Sequence, residues 1–333
     1  WQTRAIILSK QPQTHSFYTV VADAFARVDG IMRGRLSSRV PLVEKLGDYI
    51  VSAGGKRLRP LLVLLSGNAL GCRDENLPLL AAVIEFLHTS TLLHDDVVDA
   101  SGLRRGRSTA NALWGNAPSV LVGDFLYARA FEMMVELDSM AVMRIISHAT
   151  RIIAEGEVMQ LSRVRDASTT EEIYMDVIRG KTAMLFEAST HSAAVLSIAT
   201  SAQAEALRCF GDSLGVAFQL VDDLLDYLGD TETMGKNVGD DLAEGKPTLP
   251  LIYTMREGTV EQATLVRTAI QKGDNRNLEA IQEAVRLSGA LDYTAQLARK
   301  FAQQAIDCLR IIPETPYRSA MTELASFAVS RTY

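Results

Sequence analysis

The stretch LLAAVIEFLHTSTLLHDDVVD, residues 79–99, constrains the fold more than any other part of the chain. Its apolar residues recur at helical spacing over about 30 Å, at 1.5 Å per residue, before it ends in carboxylates. A helix apolar around so much of its circumference has to be enclosed by other protein. Residues 119–137, 140–163, 182–199 and 202–228 carry similar apolar stripes, while strand-like alternation is nearly absent. Breaks are predicted at Gly54-Gly55, at Gly71-Cys72-Arg73-Asp74 and at Gly229-Asp230, and Pro41 and Pro60 suit the first turn of a helix. Residues 259–333 read as four shorter amphipathic helices. There is no internal repeat and no low-complexity linker. The expectation is one all-α domain over residues 16–333, with residues 1–15 a tag or a disordered start.

Composition narrows the function. Of 333 residues, 47% are hydrophobic, which excludes a disordered chain, and the formal charge of −6 makes nonspecific nucleic-acid binding a poor fit. Cys72, Cys209 and Cys308 form no CxxC pair, so neither a zinc site nor a disulfide framework is expected. No uninterrupted apolar run reaches the roughly 18 residues of a membrane span. A cytoplasmic protein without stable membrane insertion is expected.

The chemistry lies at two helix ends. In His94-Asp95-Asp96-Val97-Val98-Asp99, Asp95 and Asp99 are four residues apart and share a helix face, with Asp96 about 100° around. Val221-Asp222-Asp223-Leu224-Leu225-Asp226 repeats the pattern. Acidic groups are unfavourable at a helix C-terminus by up to about 1 kcal/mol, and clustered carboxylates repel one another. A divalent cation relieves both penalties, and oxygen-only ligands favour Mg²⁺ or Ca²⁺; the DxDxDG calcium loop is absent. A solvated acidic helix end is the alternative for one copy, and two copies on strongly apolar helices argue against it.

Basic groups accompany the acids. Gly54-Gly55-Lys56-Arg57-Leu58-Arg59-Pro60 and Leu103-Arg104-Arg105-Gly106-Arg107 set guanidinium groups beside glycines, which suits phosphate binding. Gly180-Lys181-Thr182 and Gly235-Lys236-Asn237 repeat the pairing, although none has P-loop spacing. Each alone reads as an exposed basic loop, and their occurrence with two acidic motifs points to a metal-bound diphosphate. His88 lies two turns before Asp95 on nearly the same face, whereas His94 is directed elsewhere.

These motifs, with GDFL at 123–126, FQLVDDLLD at 218–226 and GKNVGDDLAEGKPTLP at 235–250, resemble those of the trans-isoprenyl diphosphate synthases, or polyprenyl synthetases. The resemblance runs from about Phe17 onward and is strongest to the bacterial octaprenyl-type branch that makes quinone side chains. It implies an isoprenoid synthase-type bundle of roughly ten or more helices around a central cavity. It further implies a homodimer and three Mg²⁺ ions per active site with substrate bound. Asp95 and Asp99 resemble the metal ligands of the first motif, with Asp96 supporting them, and Asp222 resembles that of the second, with Asp223 and Asp226 nearby. Lys56, Arg59, His88 and Arg105 resemble the isopentenyl diphosphate site. Arg104, Lys181, Thr182, Gln219 and Lys236 resemble the site for the allylic prenyl diphosphate. Gln160 departs from short-chain relatives, which commonly carry Asp there.

The implied reaction is 1′-4 prenyl transfer, in which Lys181 and Thr182 are counted with the aspartates as catalytic. Growth from farnesyl diphosphate to an octaprenyl (C40) product is expected, with shorter or longer chains as alternatives. Ser90 and Thr91, about one turn before Asp95, are small and are expected to leave a tunnel open that larger residues such as Met133 or Met134 close. Ser90→Tyr is accordingly expected to shorten the product. The main rival, a class I terpene cyclase, lacks a second DDxxD and needs no Gly-Gly-Lys-Arg-x-Arg site. A non-catalytic subunit tends to lose its aspartates, and an ion buffer leaves the basic loops unexplained.

Overall fold

The computed structural model describes residues 15–104, 106–228, 239–273 and 276–330. The helix that dominates the sequence does become the centre of the molecule. Its span is Leu77–Val98 (α5), and every residue from 77 to 87 is buried. Among the described residues it is the one helix long and apolar enough to cross a membrane, yet 78% of its most apolar window is buried within the protein. It is the core helix of a bundle.

The chain reaches it through α1 (Ser16–Thr19), α2 (Ala22–Arg35), α3 (Pro41–Ser52) and α4 (Leu58–Ala69). Pro41 opens α3 and Pro60 lies in the first turn of α4, where a missing N–H costs nothing. After α5 comes a short antiparallel hairpin, β1 (Leu103–Arg104) with β2 (Arg107–Ser108), pairing Leu103 with Ser108. It is followed by α6 (Ala110–Trp114), α7 (Asn116–Glu136) and α8 (Met140–Arg163), the last capped by the Ser139 hydroxyl. Next, α9 (Glu171–Ile178) runs into α10 (Met184–Leu196) through a single π-helical turn, Arg179–Ala183. Then α11 (Ser201–Leu228) extends for 28 residues.

The short α12 (Asp240–Ala243) and α13 (Leu249–Glu257) precede the four amphipathic helices expected in the last third. These are α14 (Val260–Lys272), α15 (Leu278–Leu287), α16 (Ala290–Cys308) and α17 (Pro316–Ser330).

Packing brings the acidic ends of both helices to one cavity. α5 lies along α7, while α4 and α11 flank α10. The main core is built from Leu61, Leu64, Leu80, Ile84, Phe86, Phe186 and Phe210, all fully buried. A second cluster, including Tyr174, Ile178, Val216, Leu220 and Val221, fixes the C-terminal half of α11 against α9 and α13. Both DDxxD segments therefore terminate on rigid elements, as catalytic groups require.

Candidate active site

The first motif divides its aspartates between two environments. Asp95 and Asp99 have side chains 18% and 20% exposed and line a cavity of about 1490 Å³. Asp96, on the inward side of the helix, has a fully buried side chain and accepts from Arg104 Nε at 2.8 Å and Nη2 at 2.7 Å. Burial pushes the Asp96 carboxyl above the usual range, against the pull of that guanidinium. Asp96 Oδ2 is buried with no hydrogen-bond partner among the described residues. The helix stops at Asp99, and the chain turns out through Ala100 at φ 51°.

The second motif divides in the same way. Asp222 faces the cavity, whereas Asp226 is fully buried and its backbone carbonyl accepts from the Gly239 N–H at 3.2 Å. Asp223 is 2% exposed at the cavity edge, and both its oxygens are engaged. Tyr174 Oη donates to Oδ2 at 2.5 Å and Gln219 Nε2 to Oδ1 at 2.7 Å. Gln219 Oε1 in turn accepts from Thr182 Oγ1 at 2.8 Å. Burial, and then the negative charges of Asp241 and Asp222, push Asp223 well up despite those donors.

Two lysines meet the aspartates of the first motif. Lys181 Nζ lies 2.6 Å from Glu157 Oε2, 2.8 Å from Gln160 Oε1 and 3.7 Å from Asp95 Oδ2. Burial and the Asp95 charge push Glu157 up to about 7, although Lys181 opposes the shift. The π-turn that carries Lys181 and Thr182 passes α8 at Gly156, where a Cβ would stand 2.7 Å from the Lys181 backbone nitrogen. Only glycine allows backbones to approach so closely. Lys246, from the segment after α12, reaches Asp99 at 3.0 Å and Glu244 at 2.6 Å, and the charges of Asp99 and Glu244 raise it despite burial.

The basic loop sits on the same cavity. Gly54 and Gly55 take φ of 72° and 129°, and Lys56, Arg59 and His88 line the space beside them. Arg59 Nη1 is 3.1 Å from His88 Nε2, and its guanidinium stacks 4.6 Å over the Phe186 ring. Arg57 borders the cavity as well, but it caps α4 in the left-handed region and binds Asp29 and the Val51 carbonyl, so it holds the loop in place. Arg105 and Lys236, expected at the two diphosphate subsites, lie outside the described residues, as do residues 1–14 and the Gly229-Asp230 break.

The expected tunnel residues are only partly brought together. Thr91 lines the cavity, its hydroxyl donating to the His88 carbonyl at 2.8 Å. Ser90 does not: it is fully buried and donates to the Gly123 carbonyl at 2.8 Å, across the contact of α5 with α7. Ser90 and Thr91 are adjacent and so point about 100° apart on the helix. A tyrosine at Ser90 would meet α7 before it reached the cavity, which corrects the expectation for that substitution. Met133 and Met134 are likewise packed in the main core, outside the lining of this cavity.

Sequence reasoning missed the structural parts of Tyr174, Glu157 and Lys246, and the placement of Asp240, Asp241 and Glu244 on the cavity wall. The DDLAEGK run at 240–246 was a visible signal for four of them. Nothing local marks Tyr174.

Among the described residues, no group of three or more His, Cys, Asp or Glu side chains is close enough to cage a metal alone. The carboxylates of Asp95, Asp99 and Asp222 around one cavity suit Mg²⁺, which commonly binds through a few carboxylates and completes its shell with phosphate oxygens and water. Carboxylates of both motifs, two lysines and a basic loop share this cavity with Phe25, Leu92, Val177, Ile178 and Phe218, a combination that suits a substrate with a diphosphate head and a hydrocarbon tail.

The sequence model of the polyprenyl synthetase family matches residues 40–288. The chain is 51% identical over 313 residues to octaprenyl diphosphate synthase of Escherichia coli (strain K12), spanning 94% of this chain and 97% of that enzyme. Over 314 residues it is 49% identical to the geranyl-diphosphate-specific all-trans-nonaprenyl-diphosphate synthase of Rhodobacter capsulatus, spanning 93% and 96%. The crystal structure of polyprenyl synthase from Caulobacter crescentus CB15, complexed with calcium and isoprenyl diphosphate, superposes with a TM-score of 0.93 at 44% identity. That superposition covers 97% of this chain and 99% of the other.

Proposed function

The chain belongs to the polyprenyl synthetase family and is a long-chain trans-prenyl diphosphate synthase, and on that premise we propose that it extends farnesyl diphosphate with successive isopentenyl diphosphates to an octaprenyl (C40) product. The observation that carries this reading is the convergence of Asp95, Asp99 and Asp222 with Lys56, Arg59, His88 and Lys181 on one cavity. Two subsites side by side are what head-to-tail condensation needs, because one diphosphate must leave while the other stays.

In this reading Lys56, Arg59, His88 and Arg105 hold isopentenyl diphosphate. Arg104, Lys181, Lys236 and Lys246 surround the allylic diphosphate, and Asp96 orients Arg104 through its two hydrogen bonds. Asp95, Asp99 and Asp222 would hold Mg²⁺, three ions with substrate bound. When bound, the ions neutralise charge growing on the departing pyrophosphate. The allylic C–O bond breaks, the allylic carbon alkylates the isopentenyl double bond, and a proton passes to pyrophosphate. The protein supplies no nucleophile. Its contribution is preorganised charge at the leaving oxygens and, from Thr182 and Gln219, neutral dipoles beside the allylic carbon. Small Thr91 on the cavity wall supports passage of a growing chain, and related octaprenyl and nonaprenyl synthases support a long product. A cytoplasmic homodimer without membrane insertion completes the proposal.

The test is incubation of purified protein with farnesyl diphosphate, labelled isopentenyl diphosphate and Mg²⁺, with products resolved by mass. An all-trans C40 diphosphate is expected, with one pyrophosphate released per unit added. A cyclic hydrocarbon or terpene alcohol, or no chain growth, refutes the reading.

A further inference from the structure

We infer that Tyr174 is a positioning residue for prenyl transfer, because its hydroxyl anchors Asp223, and Asp223 sets the orientation of the Gln219 amide and through it the Thr182 hydroxyl. The inference rests on the function proposed above and adds a residue that no motif contains. Tyr174 is 4% exposed, sits on α9, and its ring is enclosed with Ile178, Val216 and Leu220. Its hydroxyl meets Asp223 Oδ2 at 2.5 Å, while Gln219 Nε2 meets Oδ1 at 2.7 Å.

The direction of every bond in this circuit follows from the first. Tyr174 and Gln219 both donate to the carboxylate, so the Gln219 amide must present Oε1 on its other side, where Thr182 donates at 2.8 Å. Without Asp223 as a fixed acceptor the amide is free to turn, and Thr182 would then face a donor. Gln219 and Thr182 both line the cavity, so a reversed amide would reverse the dipoles offered to the allylic carbon.

Tyr174 is itself held from outside. Glu171, one turn earlier on α9, accepts from Arg256 Nη1 at 2.7 Å and from Tyr293 Oη at 2.7 Å. The same short helix continues into the π-turn that bears Thr182, so α9 and the turn together grip α11 at two points, Tyr174–Asp223 and Thr182–Gln219. Asp223 thereby differs from Asp222: its oxygens serve the protein scaffold.

The test compares wild type, Tyr174→Phe, Asp223→Asn and the double variant, with active-site concentration measured for each. Wild-type chain growth comes first; its absence sinks the proposed function and not this circuit. Tyr174→Phe removes one hydroxyl and is expected to lower kcat about tenfold, the size of one hydrogen bond to a charged group. KM for both diphosphates should stay within about twofold, as should calorimetric affinity for inorganic pyrophosphate with Mg²⁺, because no charged binding group is touched. In the Asp223→Asn background, Tyr174→Phe should cost nothing further, since the hydroxyl acts through that carboxylate. If Tyr174→Phe alone fails to fold, the comparison of Asp223→Asn with the double variant still decides, because no buried charge is stranded in either. An unchanged kcat in Tyr174→Phe, a rise in KM with kcat retained, or losses that multiply in the double variant would each overturn the inference.

Discussion

Gly156→Ala separates the geometry of the site from the stability of the fold. The new Cβ would stand 2.7 Å from the Lys181 nitrogen and 2.8 Å from the Gly180 carbonyl carbon, both backbone atoms that no rotamer change can move. Ordinary contact begins at 3.4 Å, so α8 and the π-turn must part by roughly 0.7 Å. Such overpacking costs about 1–3 kcal/mol. Position 156 is inside a helix, where alanine regains about 1 kcal/mol over glycine. The net destabilisation is therefore about 0–2 kcal/mol. With unfolding entropy of about 2.1 cal/mol/K per residue, a 333-residue chain loses no more than about 3 °C in Tm.

Activity should respond far more. Lys181 and Thr182 sit on the displaced turn, and Lys181 reaches Glu157, Gln160 and Asp95 from it. A misplacement near 1 Å costs about 100-fold in a preorganised site. The expected result is a fall of about 30- to 100-fold in kcat/KM for the allylic substrate, beside a nearly unchanged melting curve. Wild-type kcat/KM in the folded variant would refute the reasoning, because the glycine contact would then not be what places the turn.

Three further outcomes follow from particular contacts. Arg104→Leu strands the fully buried Asp96 carboxylate; with Arg104 about a third exposed the loss is about 2 kcal/mol, seen as a lower urea midpoint at unchanged slope, and an unchanged midpoint contradicts it. Glu157 in the folded protein holds its proton up to about 7, above the ordinary carboxylate value, so the fold binds more protons than the unfolded chain between about pH 4.5 and 7 and loses stability as pH rises through that window. Glu157→Gln should therefore flatten the fall in Tm between pH 5 and pH 8, and an unaltered slope refutes the assignment. Thr91→Phe places an aromatic ring on the cavity wall one turn before Asp95 and should shift the product, resolved by mass, to fewer isoprene units; an unchanged distribution removes Thr91 from control of chain length.

What sequence alone reveals here is set by how local the physics is. The periodicity of 79–99 yields a helix at Leu77–Val98, and the four short helices after residue 259 stand where amphipathic spacing puts them. The face shared by Asp95 and Asp99 follows from 3.6 residues per turn, and both do reach the cavity. Ser90 and Thr91 show the limit. Both are small and close to the motif, but which of the two faces the cavity depends on where α7 lies, and that is decided by packing far from either residue. Lys246 bonds across 147 positions to Asp99, and Tyr174 across 49 to Asp223, distances over which no spacing rule operates. The π-turn at Arg179–Ala183 is hidden for another reason: its residues would also fit an ordinary helix, and the crossing at Gly156 is a tertiary contact.

The most direct measurement is calorimetric titration of inorganic pyrophosphate into the protein, with and without Mg²⁺, for wild type, Asp95→Asn and Asp222→Asn. Aspartates from two helices serving one magnesium-bound diphosphate predict tight binding only with Mg²⁺ and a comparable loss, at least tenfold, from either substitution. Binding that is independent of Mg²⁺, or that survives Asp222→Asn while failing in Asp95→Asn, would contradict a site shared between the two motifs.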